Sequence, residues 1–482
     1  MKYALNNYLF PEREISSSRR PWVPARLMTW FMVGLVTIAA LTGRAQPARA
    51  AALSSGVSTQ EVNFRSGDLT LHGTIWVPVA ASHLLPGVVL VSGSGPGPRA
   101  ATRLEAEAFA GAGIVVLAYD KRTVGYSLFQ RSYVQLADDA LAGVKLLRSN
   151  PHVDPTRVGL WGESEGTWVV SLAASVSTDV AFVILVGASG VSPSQQQSWF
   201  LGNILRHEGV SGSLLTAISI TSLRVIVSAD LFPEAHFDVL PFWEHLHQPV
   251  LAVWSNRDYN HPPQEASRLL SLALNRAGNT HYTIRFFADA DPGLHLSTDG
   301  FSRRYGLAPG YVPLVANWVG AVAKGLPPQT SVESSPQQDR QSQVLAPLAW
   351  YESLAAELAA IILFLLAFAG YPLVALARCL RGQHQASAGG WAARLTATAG
   401  LITILALPVY LMAEMLLIPP GPLIASRPLP WLALQALAIT TVGATAMTAF
   451  KWWQRSSMIQ RSEQVRLGLL VFGGGVFGVW AI

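Results

Sequence analysis

Four apolar stretches in the last third of the chain limit its fold most strongly, because lipid permits few backbone structures. They cover about residues 354–377, 395–418, 429–450 and 467–482. At about 1.5 Å of rise per residue, the first three can cross roughly 30 Å of hydrocarbon as helices, and the last is marginal in length. Backbone polar groups in lipid need internal partners, which helices supply. The sequence therefore predicts about four transmembrane helices within residues 348–482.

Basic residues flank these stretches unevenly. The chain has 34 Lys and Arg against 29 Asp and Glu, a balance that by itself could indicate nucleic acid. Only Arg427 lies between the second and third stretches, whereas the first and third connections contain Arg378, Arg381, Arg394, Lys451, Arg455, Arg461 and Arg466. The positive-inside rule places those two connections in the cytoplasm. We therefore expect membrane lipid rather than nucleic acid as a partner, and the polar segment before the first helix, with the domain that precedes it, on the outer side.

The N-terminal 50 residues resemble an export signal. Arg19, Arg20 and Arg26 precede an apolar run over 27–41, and the small residues Ala48 and Ala50 follow at a signal-peptidase spacing. Residues 1–50 are therefore interpreted as a signal peptide or, alternatively, an uncleaved signal anchor. Together with the helices, they predict a multi-pass protein of a bacterial inner membrane with an extracytoplasmic, periplasmic domain.

Residues 58–325 predict an α/β domain with a mostly parallel sheet. Short apolar runs alternate with helical stretches, as expected when helices cover both faces of a sheet. Between residues 191 and 247 the sequence pattern is helical without an obvious strand. This indicates an insertion that forms a lid or, alternatively, only part of the scaffold. Residues 326–347 are polar and predict a linker. The strand candidates are 69–76, 88–91, 114–118, 158–161, 180–186, 250–254 and 282–286.

A Gly-x-Ser-x-Gly string, from Gly162 to Gly166, follows one of these strands and opens a helical stretch. In that setting the two glycines permit a sharp strand-to-helix turn that exposes Ser164. The alternative is a turn of small residues without a chemical role. We expect Ser164 to be a nucleophile.

Two further sequence motifs resemble segments of a known superfamily. Residues 89–97 read VLVSGSGPG, and 119–122 read YDKR. The first resembles the oxyanion-hole segment of the α/β-hydrolase superfamily, and the second its Tyr-Asp-x-Arg-Gly turn, with Ser92 and Thr123 replacing the usual His and Gly. Over about residues 61–324 the chain resembles dienelactone-hydrolase-like and serine-aminopeptidase-like members of that superfamily.

The resemblance implies an oxyanion hole formed by the backbone N–H groups of Ser94 and Glu165. An ordinary glycine turn is the alternative for residues 93–97. A phosphate loop is excluded because no Gly-Lys-Ser/Thr follows.

Asp258 and a histidine would complete a catalytic triad. Asp258 follows the apolar run 250–254, where the superfamily has the acid that orients the base, although an Asx-turn residue is the alternative. His261 lies close to this acid in sequence and is interpreted as polar loop surface. Relatives typically carry Ala-x-His-Gly-Leu after the last strand, but here Pro292 occupies the histidine position. We therefore expect His295 to be the base, with an exposed loop histidine in an impaired enzyme as the alternative.

The predicted function is hydrolysis of an acyl bond, in an ester, thioester or amide, through an acyl-enzyme and a triad of Ser164, Asp258 and His295. The expected substrate is a small molecule or a peptide that carries this bond. No metal or other cofactor is expected, and the single Cys379 excludes an internal disulfide framework. The alternative is a catalytically impaired hydrolase fold that binds or senses a ligand and is coupled to the membrane helices.

Overall fold

The computed structural model describes residues 56–79, 83–382, 389–455 and 459–481. The predicted export segment, residues 1–50, lies outside them. A nine-stranded sheet has the order β1-β2-β4-β3-β5-β6-β7-β8-β9. The β1–β2 and β2–β4 pairs are antiparallel and the rest are parallel. The strands are β1 Val57–Ser66, β2 Leu69–Pro78, β3 Leu85–Val91, β4 Val115–Tyr119, β5 Val153–Glu163, β6 Val183–Val186, β7 Val250–Ser255, β8 Tyr282–Phe287 and β9 Ser331–Val332.

All seven predicted strands are present, and most of their apolar residues are buried, as we expected. Every residue of β4, β6 and β7 is buried, as in strands covered on both faces. β1 escaped prediction because it is an edge strand with mostly exposed side chains, joined to β2 by a turn at Gly67 with φ of 60°. The α/β prediction is confirmed.

Helices cover the sheet and form the insertion between β6 and β7. The insertion contains α4, α5 and α6 and, as predicted, no strand among its residues, all of which are described. The helices of this part of the chain are α1 Arg103–Gly111, α2 Tyr133–Arg148, α3 Glu165–Ser175, α4 Pro193–His207, α5 Ser213–Ser228, α6 Leu240–Trp243, α7 Pro263–Arg276 and α8 Tyr311–Ala323.

The segment predicted as a linker lies along the α/β domain. Its strand β9 pairs in parallel with Thr283 and Ile284 of β8. Farther on, the Ser342 backbone N–H and the Gln338 side-chain amide donate to Glu265 Oε1 of α7, at 2.7 and 3.0 Å. Polar composition therefore marks a segment that is fixed by hydrogen bonds rather than by apolar burial.

Within the described parts of the chain, three helices are long and apolar enough to cross a membrane: α9 Leu354–Leu380, α10 Gly390–Met415 and α11 Leu429–Arg455. The fourth predicted span is not among them, so the expectation of about four was one too many. That segment forms α12, Arg461–Trp480, whose first turns carry charged residues. Phe477 of α12 packs edge-on against Phe364 and Phe368 of α9.

Glycine allows α12 to pack closely on α11. A Cβ at Gly474 would overlap the Thr445 side chain, and one at Gly478 would lie 3.4 Å from Val442. Gly474 and Gly478 are four residues apart, a Gly-x-x-x-Gly spacing that permits close helix approach. α12 is thus an integral part of the helical domain.

The insertion touches the connection between α10 and α11. Ser211 N–H donates to the Ser426 carbonyl at 2.9 Å, and the Trp431 indole N–H donates to Ser213 Oγ at 3.0 Å. The apolar cluster here joins Leu201, Leu205, Val210, Leu214 and Ile218 of the insertion to Tyr410, Leu411, Met415 and Trp431. The insertion therefore packs against one end of the long apolar helices α10 and α11.

Candidate active site

Ser164 stands at a strained turn between β5 and α3. Its φ of 50° and ψ of −116° lie in a region that non-glycine residues rarely adopt. A Cβ at Gly166 would overlap the Val91 carbonyl oxygen, and one at Gly162 would overlap the Gly166 carbonyl group. Both glycines are therefore required by close backbone approach, and the turn has the geometry of a nucleophile elbow.

His261 joins Ser164 to Asp258. Its Nε2 lies 3.1 Å from Ser164 Oγ, and its Nδ1 lies 3.1 and 3.2 Å from the two Asp258 carboxylate oxygens. Both His261 and Asp258 are buried. An ionised carboxylate can only accept hydrogen bonds, so Nδ1 carries the proton and Nε2 is free to accept the Ser164 hydroxyl. This is the hydrogen-bond order of a Ser-His-Asp triad.

The interpretation of His261 as loop surface is therefore wrong. Asp258 Oδ1 accepts the backbone N–H groups of Asn260 and His261, at 2.9 and 2.8 Å. These bonds reverse the chain within three residues and bring the imidazole back over its own acid. The Asx-turn alternative for Asp258 is thus also correct, because the turn places both groups. An acid followed three residues later by histidine, in a turn after a buried strand, was the available signal.

Gly187, immediately after β6, leaves space for this imidazole. Its φ is 59°, and a Cβ there would lie 2.8 Å from His261 Nδ1 and 3.3 Å from the Pro292 carbonyl oxygen. Pro292, at the usual histidine position, therefore borders the pocket that holds His261.

His295 lies in a separate buried cluster, against the expectation that it would be the base. Its Nδ1 is 3.2 Å from Asp291 Oδ1, and its Nε2 is 2.8 Å from Glu105 Oε1. Burial lowers its pKa, but these two carboxylates outweigh burial and raise the pKa to about 9. Both ring nitrogens face carboxylates, and the ring is mostly protonated near neutral pH. His295 is therefore unsuited to accept a proton from Ser164.

The predicted oxyanion-hole loop lies beside the elbow. A Cβ at Gly93 would be 3.4 Å from Ser164 Cβ. Glu165 begins α3, where first-turn N–H groups have no acceptor within the helix. Its side chain is buried and pairs with Lys121 and Arg131, at 3.0 and 2.6 Å. The structure thus brings the Ser94 loop, Ser164 and Glu165 together.

Helix α4 and the segment after β9 support the loop with Asp258 and His261. The Gln196 side-chain amide donates to the Asn260 carbonyl at 2.6 Å, and the Asn203 side-chain amide donates to the Tyr259 carbonyl at 2.9 Å. Arg340 in turn donates to Asn203 Oδ1. This segment also forms one wall of a cleft of about 430 Å³ beside Asp258. Sequence patterns gave no sign of this support.

Three features together define the α/β-hydrolase fold. They are the order of the strands in the sheet, the strained serine between β5 and α3, and the acid, Asp258, that follows β7. The departure from the usual pattern is that the histidine comes from the same turn as the acid.

Comparison with known proteins adds several distant structural likenesses. No family model matches the sequence, and no curated protein does. Among solved structures, the chain is similar to dipeptidyl peptidase 4 of Porphyromonas gingivalis, with 17% identity, a TM-score of 0.38, and coverage of 56% of this chain and 36% of that one. A 2,6-dihydroxy-pseudo-oxynicotine hydrolase shows 14% identity, a TM-score of 0.42, and coverage of 57% and 71%. An esterase of Pyrococcus furiosus shows 17% identity, a TM-score of 0.38, and coverage of 56% and 91%.

Proposed function

We propose that this protein is a membrane-attached serine hydrolase that cleaves an acyl bond through an acyl-enzyme. The observation that carries the proposal is the hydrogen-bonded order Ser164, His261, Asp258, with Ser164 held in the strained elbow. The sensing alternative depended on a missing base at Pro292. His261 supplies a candidate for that base, because its Nε2 is within hydrogen-bonding distance of Ser164 Oγ.

In the proposed reaction, His261 Nε2 takes the hydroxyl proton as Ser164 Oγ bonds to the substrate carbonyl carbon, whose oxygen becomes an oxyanion. The N–H groups of Ser94 and Glu165 stabilise that oxyanion. When the tetrahedral intermediate collapses, the bond to the leaving group breaks and His261 returns the proton to it. Water, deprotonated by the same imidazole, then releases the acid and restores Ser164. Asp258 holds the ring orientation in both halves.

Two features support a placement of the hydrolase-like domain relative to the membrane. They are the positions of the arginine-rich connections and the contact between the insertion and the α10–α11 connection. The connection between α10 and α11, which contacts Ser211, is the one that carries a single basic residue, Arg427. If the basic connections face the cytoplasm, the hydrolase-like domain lies at the opposite, extracytoplasmic end of the bundle. An acyl substrate would reach it there, beside the membrane lipid.

The test uses the full-length protein in detergent, a fluorophosphonate probe, and p-nitrophenyl esters of graded acyl length. We expect labelling of the wild type and none of Ser164→Ala. Asp258→Asn should retain the fold but lower turnover by roughly 10³–10⁴-fold, because the amide would favour the wrong imidazole tautomer. Absence of labelling at Ser164 in folded wild-type protein would discard the proposal.

A further inference from the structure

The side chain of Glu165 lies beneath the loop that contains Ser94. It is 1% exposed. Its Oε1 lies 3.0 Å from Lys121 Nζ and accepts the Tyr126 hydroxyl at 2.8 Å, while Oε2 lies 2.6 Å from Arg131. A buried carboxylate needs such partners, since an unpaired buried charge is costly. The proton transfers described above use none of these side chains.

Lys121 and Tyr126 extend this anchoring to the two peptide groups around Ser94. Lys121 Nζ donates to the Gly93 carbonyl oxygen, and the Tyr126 hydroxyl accepts the Gly95 N–H at 2.9 Å. A trans peptide is planar, so the Gly93 carbonyl and the Ser94 N–H point in opposite directions. Holding the carbonyl therefore fixes the direction of the Ser94 N–H.

We propose that the Glu165 side chain, through Lys121 and Tyr126, is the positioning device of the oxyanion hole. Glu165 would then supply one donor from its backbone and fix the other donor with its carboxylate. Preorganised donors are what makes such a hole effective, and a segment with Gly93, Gly95 and Gly97 has little rigidity of its own. The inference rests on the proposed hydrolase function and adds three positioning residues to it.

The chain offers a matched control for a merely structural ion pair. Arg122, adjacent to Lys121, forms a similarly buried pair with Asp139 at 2.7 Å. The hydrogen bonds of its guanidinium go to Asp139 and Gln135, on α2 rather than on the oxyanion loop. Loss of either buried pair should lower stability, but only loss of the Lys121 pair should release the Gly93 carbonyl.

The experiment compares full-length wild type, Lys121→Met, Tyr126→Phe and Arg122→Met in detergent. Active sites are counted by fluorophosphonate titration, so that kcat is expressed per labelled Ser164. The substrate is a p-nitrophenyl ester cleaved by the wild type. The Kd of an alkyl trifluoromethyl ketone, which forms a tetrahedral adduct with a serine, reports oxyanion stabilisation.

For Lys121→Met we expect kcat roughly 10- to 100-fold lower, KM within about threefold, and ketone affinity reduced in parallel; removing a donor outright costs about 10²–10³-fold. Tyr126→Phe, a conservative change, should lower both quantities roughly 3- to 10-fold, and decides the matter if Lys121→Met does not fold. Arg122→Met should leave both near wild type per active site.

Unchanged kcat and ketone affinity per labelled site in Lys121→Met and Tyr126→Phe would overturn the positioning role while leaving the hydrolase function intact. Equal losses in Arg122→Met would overturn it also, because they would reflect a general disturbance of the loop. A folded wild type that neither labels nor turns over would overturn both proposals.

Discussion

His261 follows Asp258 by only three residues, yet its ring bridges that carboxylate and Ser164, a residue 97 positions earlier in the chain. Acid and base therefore come from one turn between β7 and α7. Whatever displaces this turn moves both groups at once, and whatever holds it serves both.

The first prediction separates the two buried histidines. His261→Ala should lower kcat/KM for an aryl ester by at least about 10³-fold, because Ser164 loses its proton acceptor. His295→Ala should retain more than about a tenth of wild-type activity per folded molecule. Steady-state kinetics and a thermal melt of each variant check this. The reverse ranking would make His295 the base and refute the role proposed for His261.

The second prediction concerns the space beside the imidazole. Gly187→Ala should lower kcat by roughly 10- to 100-fold, because the new Cβ would stand 2.8 Å from His261 Nδ1. Gly278→Ala is the matched control, since Gly278 has φ of 69° and no heavy atom within 4 Å of an added Cβ. Both changes should cost about 1 kcal/mol of stability from backbone strain. Equal kinetic effects in the two variants would contradict a specific contact with His261.

The third prediction follows from the His295 cluster, where Asp291 and Glu105 raise the pKa from 6.5 to about 9 and where Glu163 and Arg303 also act on the ring. A folded pKa above the unfolded one stabilises the protein fully below pH 6.5, and the contribution is lost as pH rises through about 9. The Tm difference between wild type and His295→Gln should therefore be largest at pH 6 and shrink toward about pH 10.

Melting curves of the detergent-solubilised chain at several pH values measure this difference. His152→Gln replaces an exposed histidine and serves as the control, with a Tm close to wild type throughout. A His295→Gln deficit that stays constant from pH 6 to 10 would show that the charge of this ring contributes nothing.

The fourth prediction tests the support of the catalytic turn by α4. Asn203→Asp keeps an acceptor for Arg340 but removes the amide that donates to the Tyr259 carbonyl. We expect kcat to fall roughly tenfold with little change in KM, because the turn shifts Asp258 and His261 together. Gln195→Glu is the control, since Gln195 lies on the same helix and contacts Ser342 rather than this turn. Full activity of Asn203→Asp would show that the turn is rigid without α4.

The local sequence pattern was sufficient to predict the buried strands and the turn at Ser164. β4 and β7 are continuous apolar runs, so their burial was readable without any partner. Gly162 and Gly166 beside Ser164 predicted the strained turn because no other residue tolerates such close backbone contact. β1 was missed because its side chains alternate weakly. The fourth span was counted because residues 467–482 are apolar, but the helix that contains them begins at Arg461 with charged first turns and is not among the three that are long and apolar enough to cross a membrane.

The sequence did not show which histidine contacts Ser164. Both His261 and His295 follow a strand of the sheet and lie near a carboxylate in sequence, so local chemistry did not discriminate between them. The resemblance favoured a position after the last strand, and Pro292 there made the nearest downstream histidine the natural choice. The partners of His295, Glu105 and Asp291, come partly from a helix nearly 200 residues away.

The sequence by itself determined the alternation of strands and helices, the strained turn at Ser164, the place of Asp258 after a buried strand and the presence of apolar helices. Each of these depends on side-chain type and spacing within a few residues. Only the tertiary structure decided which imidazole meets Ser164 and which groups pair with the Glu165 side chain. Hydrogen-bond pairing among buried polar groups depends on distances of about 3 Å between distant segments, and the linear order of residues does not contain them.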